Sequence, residues 1–221
     1  MINNIIDEAL IAHDFTKEHQ TALTSFYIRE SGSAIRFAIL HKLDELSSPA
    51  ELNTAINQSA PDSFLSHPTF KKNCDLICIH HLSKLAEFKD HEEQIFAIEE
   101  DPHFFKKYIL YYSDTEESAI KDYSFDRLVD TISDKSQFSK YKSDPLAATQ
   151  YSVAAKIFIK LPFLELPFTR EELVSLRLQA AEAVAEAGLD TTYKIIQKLT
   201  VNNADELIKE LISNELENNS D

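Results

Sequence analysis

The stretch Ala34-Ile35-Arg36-Phe37-Ala38-Ile39-Leu40-His41-Lys42-Leu43-Asp44-Glu45-Leu46 carries the fold assignment. Read at helical spacing, it puts Ile35, Phe37, Ala38, Ile39, Leu40, Leu43 and Leu46 on more than one side. A helix that is apolar beyond a single stripe belongs at the centre of a helical body. Upstream, Ile5, Ile6, Leu10, Ile11, Phe15, Leu23, Phe26 and Tyr27 recur in steps of three and four, which reads as one long amphipathic helix. Gly32 is its expected stop, because glycine tolerates the left-handed conformation at a helix end.

Downstream, Ser48-Pro49-Ala50-Glu51 reads as an N-cap, a first-turn proline and a capping-box glutamate, opening a helix to about Ser59. Pro61 and Pro68 bracket a turn with Phe64 and Leu65. A longer helix is expected from Pro68 through Cys74, Ile77, Cys78, His81, Leu82 and Leu85, followed by a polar joint at 89–93. Asp101-Pro102 repeats the cap-plus-proline device ahead of a helix carrying Phe104, Phe105, Tyr108, Ile109 and Tyr112. Ser113 and Ser124 read as further caps, and Asp144-Pro145 as the start of an apolar, Ala-rich helix through Ile159. Leu161 to Pro167 reads as an extended connector, since each proline disfavours helix at the residue before it. Thr169-Arg170-Glu171-Glu172 reads as a capping box for a helix that stops at Gly188. Two more helices fit 192–199 and 204–216. Alternating β-branched runs are missing. The expected fold is therefore all-α, an irregular multi-helix bundle with a helical body over 1–160 and a connector plus C-terminal helical arm over 161–221.

Composition removes several function classes. The chain has 221 residues, and hydrophobic residues make up 43% of it, as in a folded globular protein. Only two glycines occur, where average usage would give roughly fifteen. A glycine-rich phosphate loop, a dinucleotide fingerprint and a nucleophile elbow are all absent as motifs. The formal net charge is −15, which opposes binding to a phosphate backbone and predicts little direct nucleic-acid contact. Lys71-Lys72 and Lys106-Lys107 are isolated basic pairs. The N-terminal residues lack the form of a signal peptide, and no apolar run reaches the roughly 20 residues of a membrane span. A cytoplasmic protein with reduced thiols is expected.

Four constellations bear on chemistry. His13-Asp14 has the adjacent His and Asp of HD-type metal-dependent phosphohydrolases, with His41, His80, His81, Asp90 and His91 as further ligands, but their order departs from that pattern. Cys74, Cys78 and His81 fall on one stripe of the expected helix; core packing is the plainer reading, because a zinc site wants four ligands. Glu92, Glu93, Glu99, Glu100 and Asp101 lie near His103 and read as a solvated joint. The aromatic series Phe104, Phe105, Tyr108, Tyr111 and Tyr112 is dense for one helix and suits a core or a partner-binding surface. Neither a catalytic residue nor a cofactor or metal is expected.

Three segments, Asp101 to Leu110, Asp144-Pro145-Leu146 and Phe158 to Phe163, together resemble the middle component of bacterial three-component antiphage systems of the Lamassu type. The resemblance implies a non-enzymatic accessory subunit that bridges or restrains an effector, such as a nuclease, on an SMC-like ATPase. On that basis Phe104, Phe105, Tyr108, Tyr111 and Tyr112, with the acidic Glu171 and Glu172 of the arm, are the expected partner-binding residues. The alternative function is a helical HD-like phosphohydrolase.

Overall fold

The computed structural model describes residues 1–32, 34–167 and 176–196, together with 204, 208, 209 and 212. It overturns the all-α expectation. Five strands form one mixed sheet: β1 (Thr16–Gln20), β2 (Thr24–Ser31), β3 (Ala34–Leu43), β4 (Cys74–Leu82) and β5 (Lys106–Ser113), side by side in that order. The first three are antiparallel neighbours, and β3, β4 and β5 run parallel. The stretch around Phe37 is thus the middle strand of the sheet.

The apolar continuity of β3 and β4 has a direct physical cause. A parallel strand covered on both faces needs apolar side chains at odd and even positions alike. In β3, Phe37 and Ile39 enter one core while Ala38 and Leu40 enter the other. In β4, Leu76 and Cys78 face the Phe37 side, and Ile77 and Ile79 face the Ala38 side. Such a run has no two-residue alternation to distinguish it from a buried helix.

Helices cover both faces. Helix α1 (Ile2–Ala12) brings Ile2, Ile5, Ile6, Ala9 and Leu10 to the Ala38 side. It ends at His13, and Asp14 turns the chain at φ 64° into β1. The single long helix expected from Ile5 to Tyr27 is therefore a helix followed by two strands. Gly32 also has a different role: Ser31 pairs with Ala34, and Gly32 at φ 59° reverses the chain between β2 and β3. Helices α6 (Phe125–Ser133) and α8 (Gln150–Lys160) complete this layer, with α7 (Lys135–Ser143) between them in sequence. Leu161 and Phe163 of the expected connector are buried in the same core.

The other face is covered by α2 (Pro49–Ser59), the single turn α3 (Asp62–Leu65) and α4 (Phe88–Glu99), which replaces the expected polar joint. Under α3, Phe37 meets Phe64 at 4.9 Å and Phe70 at 5.2 Å, and Phe70 meets Phe105 at 5.4 Å between ring centres. Helix α5 (Asp114–Ala119) follows β5.

Helix starts follow the sequence closely. At α2 the Ser48 hydroxyl accepts from the Glu51 N–H, and Glu51 accepts the Ser48 N–H at 2.9 Å. Ser113 caps α5 with Glu116, and Ser124 caps α6. The Ala-rich helix starts later than expected, with Thr149 rather than Asp144-Pro145 as its cap. Ser48→Ala is expected to cost about 1 kcal/mol, read as a lower urea midpoint with an unchanged m-value.

The chain divides into two compact units, Met1–Pro167 and Phe168–Asp221. Within the second, α9 (Leu176–Glu186) and α10 (Asp190–Ile196) are joined through Gly188 at φ 67°. The Leu189 N–H donates to the Val184 carbonyl and the Gly188 N–H to that of Ala185, the paired bonds of a Schellman end. The stop expected at Gly188 is in place. The cap at Thr169, Glu171 and Glu172 lies outside the described residues, as does most of 204–216.

Candidate functional site

The aromatic series belongs to the edge strand β5 and the turn before it, not to a helix. Strand alternation therefore divides it. Phe105 is buried against Phe70, and Tyr111 stacks on Phe88 at 4.6 Å with the Lys156 ammonium 4.7 Å from its ring centre. Tyr108 and Tyr112 point to the opposite face, and Tyr112 lies 5.2 Å from the His81 ring. Phe104 is 47% exposed at φ 66°, with Lys71 4.6 Å from its ring centre. A phenylalanine at positive φ is costly for an L residue. The expected single aromatic face is thus one buried ring, Phe105, three half-buried tyrosines divided between two faces, and one exposed ring, Phe104.

A set of ion pairs, buried at Lys107 and Glu116 and half-buried elsewhere, surrounds the same strand and has no local signature in the sequence. Lys107 has no exposed side-chain surface. Its ammonium lies 2.8 Å from Asp101 and donates to the carbonyls of His103 and Phe105 at 2.6 and 3.2 Å. Asp101 also accepts from Asn53 on α2 at 3.0 Å and contacts His103 Nδ1 at 2.8 Å. Although its own burial acts to raise it, these bonds from Lys107, His103 and Asn53, with the Lys107 charge, hold the Asp101 carboxyl well below the usual range. This cluster ties α2, the turn at 101–105 and β5 together.

Two more pairs guard the outer side of β5. Glu99 on α4 accepts the Ile109 N–H at 2.7 Å and pairs with Lys160 on α8. An edge strand with free N–H groups invites pairing with another chain, and here a carboxylate occupies one of them. Glu116, fully buried, takes the Lys156 ammonium at 2.7 Å and the Ser113 N–H at 3.2 Å. The expected solvated acidic joint is partly this inward-facing network. The lost signal was the alternation in Lys106-Lys107, which sends one lysine out and the other in.

The metal stripe does not form. Cys74 and Cys78 share one sheet face, and alternation sends His81 to the other, where it meets Asp114 at 2.7 Å. His80 is buried, with Nδ1 3.1 Å from the Leu43 carbonyl, and burial holds its pKa low. Burial likewise pushes both thiols up. Neither cysteine is expected to react with a disulfide reagent at pH 8 in the native protein, and both should react in guanidinium. Fast native labelling of either would contradict the buried-strand placement. His13 caps off α1, with Nδ1 2.8 Å from the Ala9 carbonyl and its ring beside Phe125 and Phe163. His41, on β3, bonds Thr24. Among the described residues no three His, Cys, Asp or Glu side chains converge as metal ligands. The HD-like arrangement is therefore not assembled around His13-Asp14.

This fold is a mixed sheet covered by helices on both faces, and its distinctive feature is an edge strand held by buried and half-buried ion pairs. Residues 35–136, which run from β3 to the start of α7, match the family model described as ABC-three component (ABC-3C) system Middle Component 1. That segment is just under half of the chain. It contains the three parallel strands, Lys107, Asp101 and the whole aromatic series. The family's description is of one component among three, and so of a protein that works with partner proteins. No curated protein and no solved structure matches the chain. No helix among the described residues is long and apolar enough to cross a membrane.

Proposed function

We propose that the chain is a non-enzymatic accessory subunit of a bacterial three-component antiphage system, cytoplasmic and of the Lamassu type, which bridges or restrains an effector on an SMC-like ATPase. The observation that carries this reading is the match of residues 35–136 to a middle-component family. The aromatic residues at β5 support it: the exposed Phe104 before the strand and the half-buried Tyr108 and Tyr112 on its face suit a docking surface better than a catalytic one, since aromatics supply interface hot spots. The expected arm residues Glu171 and Glu172 would add charge complementarity to a basic partner.

Co-expression with the neighbouring genes, followed by purification through a tag on this chain, tests the reading. A coiled-coil ATPase should co-elute, and Phe104→Ala with Tyr112→Ala should reduce its recovery while circular dichroism stays unchanged. Full recovery with those variants would reject the docking assignment. Metal-dependent phosphodiester hydrolysis that is lost in His13→Ala would reject the non-enzymatic role.

A further inference from the structure

At the end of the sheet where β4 and β5 begin, a groove of about 400 Å³ is lined by Arg29, Arg36, Lys72 and Lys106, with Asp75 as its carboxylate. Among the described residues, four cations against one anion is a local reversal of sign in a chain of net charge −15. Arg29 and Arg36 sit directly opposite each other on β2 and β3, a like-charge placement that costs stability in a strand pair.

Both arginines are held in place from behind. Arg36 donates from Nε and Nη2 to one oxygen of the buried Asp75, at 2.8 and 2.7 Å. Arg29 lies over the Phe15 ring at 4.7 Å and donates one N–H to the His13 carbonyl at 3.2 Å. A guanidinium has five N–H donors, so each keeps donors free. Asp75 is also in register with Lys106 on β5. Lys72 and Lys106 are exposed and make no ion pair among the described residues.

We propose that Arg29, Arg36, Lys72 and Lys106 bind the phosphate group of a small ligand, with Asp75 positioning Arg36. A carboxylate brings one charge and would leave the groove strongly cationic. A phosphate monoester brings roughly −1.5 to −2 at neutral pH together with three acceptor oxygens, and forked guanidiniums match that geometry. The groove volume lies at the lower end of the roughly 300–1,000 Å³ usual for small-molecule sites. A nucleic-acid duplex would need a longer basic track and would meet the acidic remainder of the surface.

The test is a titration of the isotope-labelled full chain by NMR, at fixed ionic strength set with sodium chloride. The probes are inorganic phosphate, AMP, adenosine and acetate. Phosphate and AMP should shift the amide resonances of Arg29, Arg36, Asn73 and Lys106 saturably, and adenosine and acetate should not. Equal affinities for phosphate and AMP mean that the free anion suffices, whereas tighter AMP binding means a nucleotide; both support the site. Lys72→Gln with Lys106→Gln, both exposed, should weaken binding about tenfold without changing the spectrum elsewhere. Arg29→Lys keeps the charge, loses the fork and should also weaken it. Absence of saturable phosphate shifts at these residues, acetate binding as tight as phosphate, or unchanged affinity in the double variant would overturn the proposal.

Discussion

Lys107→Ala is expected to lower the stability of the folded chain by about 3–5 kcal/mol, the usual consequence of removing one partner from a buried ion pair. The substitution removes the ammonium that binds the Asp101 carboxylate and the backbone carbonyls of Asp101, His103 and Phe105, and it unties the turn at 101–105 from the start of β5. Urea unfolding should show a lower midpoint. A double variant, Lys107→Met with Asp101→Asn, should lose less than Lys107→Ala alone, because no isolated charge remains. A pH series adds an independent readout. The Asp101 carboxyl is depressed in the folded state, so its contribution is present above the ordinary carboxylate range near pH 4. It is lost as pH falls through the lower folded value. The acid limb of the wild-type stability curve should therefore flatten in the double variant. A Lys107→Ala protein within 1 kcal/mol or so of wild type would show that the pair is not load-carrying in the fold.

Phe37→Ala is expected to cost about 3–5 kcal/mol, as for other fully buried aromatic truncations. Phe37 has no exposed surface and lies at the centre of the sheet, where it touches Phe64, Phe70 and His67 with ring centres 4.9 to 5.3 Å apart. Truncation opens a cavity beneath α3, and the surrounding rings can fill only part of it. Ala38→Gly on the same strand removes far less side chain, so its loss should be much smaller. Comparable losses for the two would mean that backbone strand propensity, rather than the phenylalanine cluster, dominates at this position.

The parts of the fold legible in the sequence are those governed by local chemistry. Ser48 with Glu51, Ser113 with Glu116, and Ser124 each announce a helix start through a side-chain oxygen that reaches a nearby N–H. Gly188 announces a stop through its positive φ. The strands were not legible, because their pattern depends on what lies above and below them. Ala34–Leu43 and Cys74–Leu82 are apolar on both faces since helices cover both, and spacing alone cannot separate that from a central helix. Gly32 shows the same limit: a left-handed residue serves a helix end and a strand reversal equally well.

The site was legible as residue types and not as positions. Phe104 to Tyr112 stand out in the sequence as aromatic, yet their division between two faces follows from the two-residue period of a strand. The pair Lys106-Lys107 carried the strongest hidden signal. One of these lysines lines the cationic groove, and the other is the buried cation that closes the turn before β5. The strand period separates the two roles once β5 is known to be a strand; Asp101 lies close in sequence to Lys107, whereas Asp75 and Arg36 are brought to Lys106 by the fold.

Partner recovery on co-expression with the neighbouring genes is the most direct measurement of the central claim, that this chain works as one part of an assembly. The tagged chain, expressed with its neighbouring genes and purified at physiological ionic strength, should elute with an ATPase of the coiled-coil type in a fixed ratio by mass photometry. Elution of the chain alone, with every neighbouring product expressed and soluble, would contradict it.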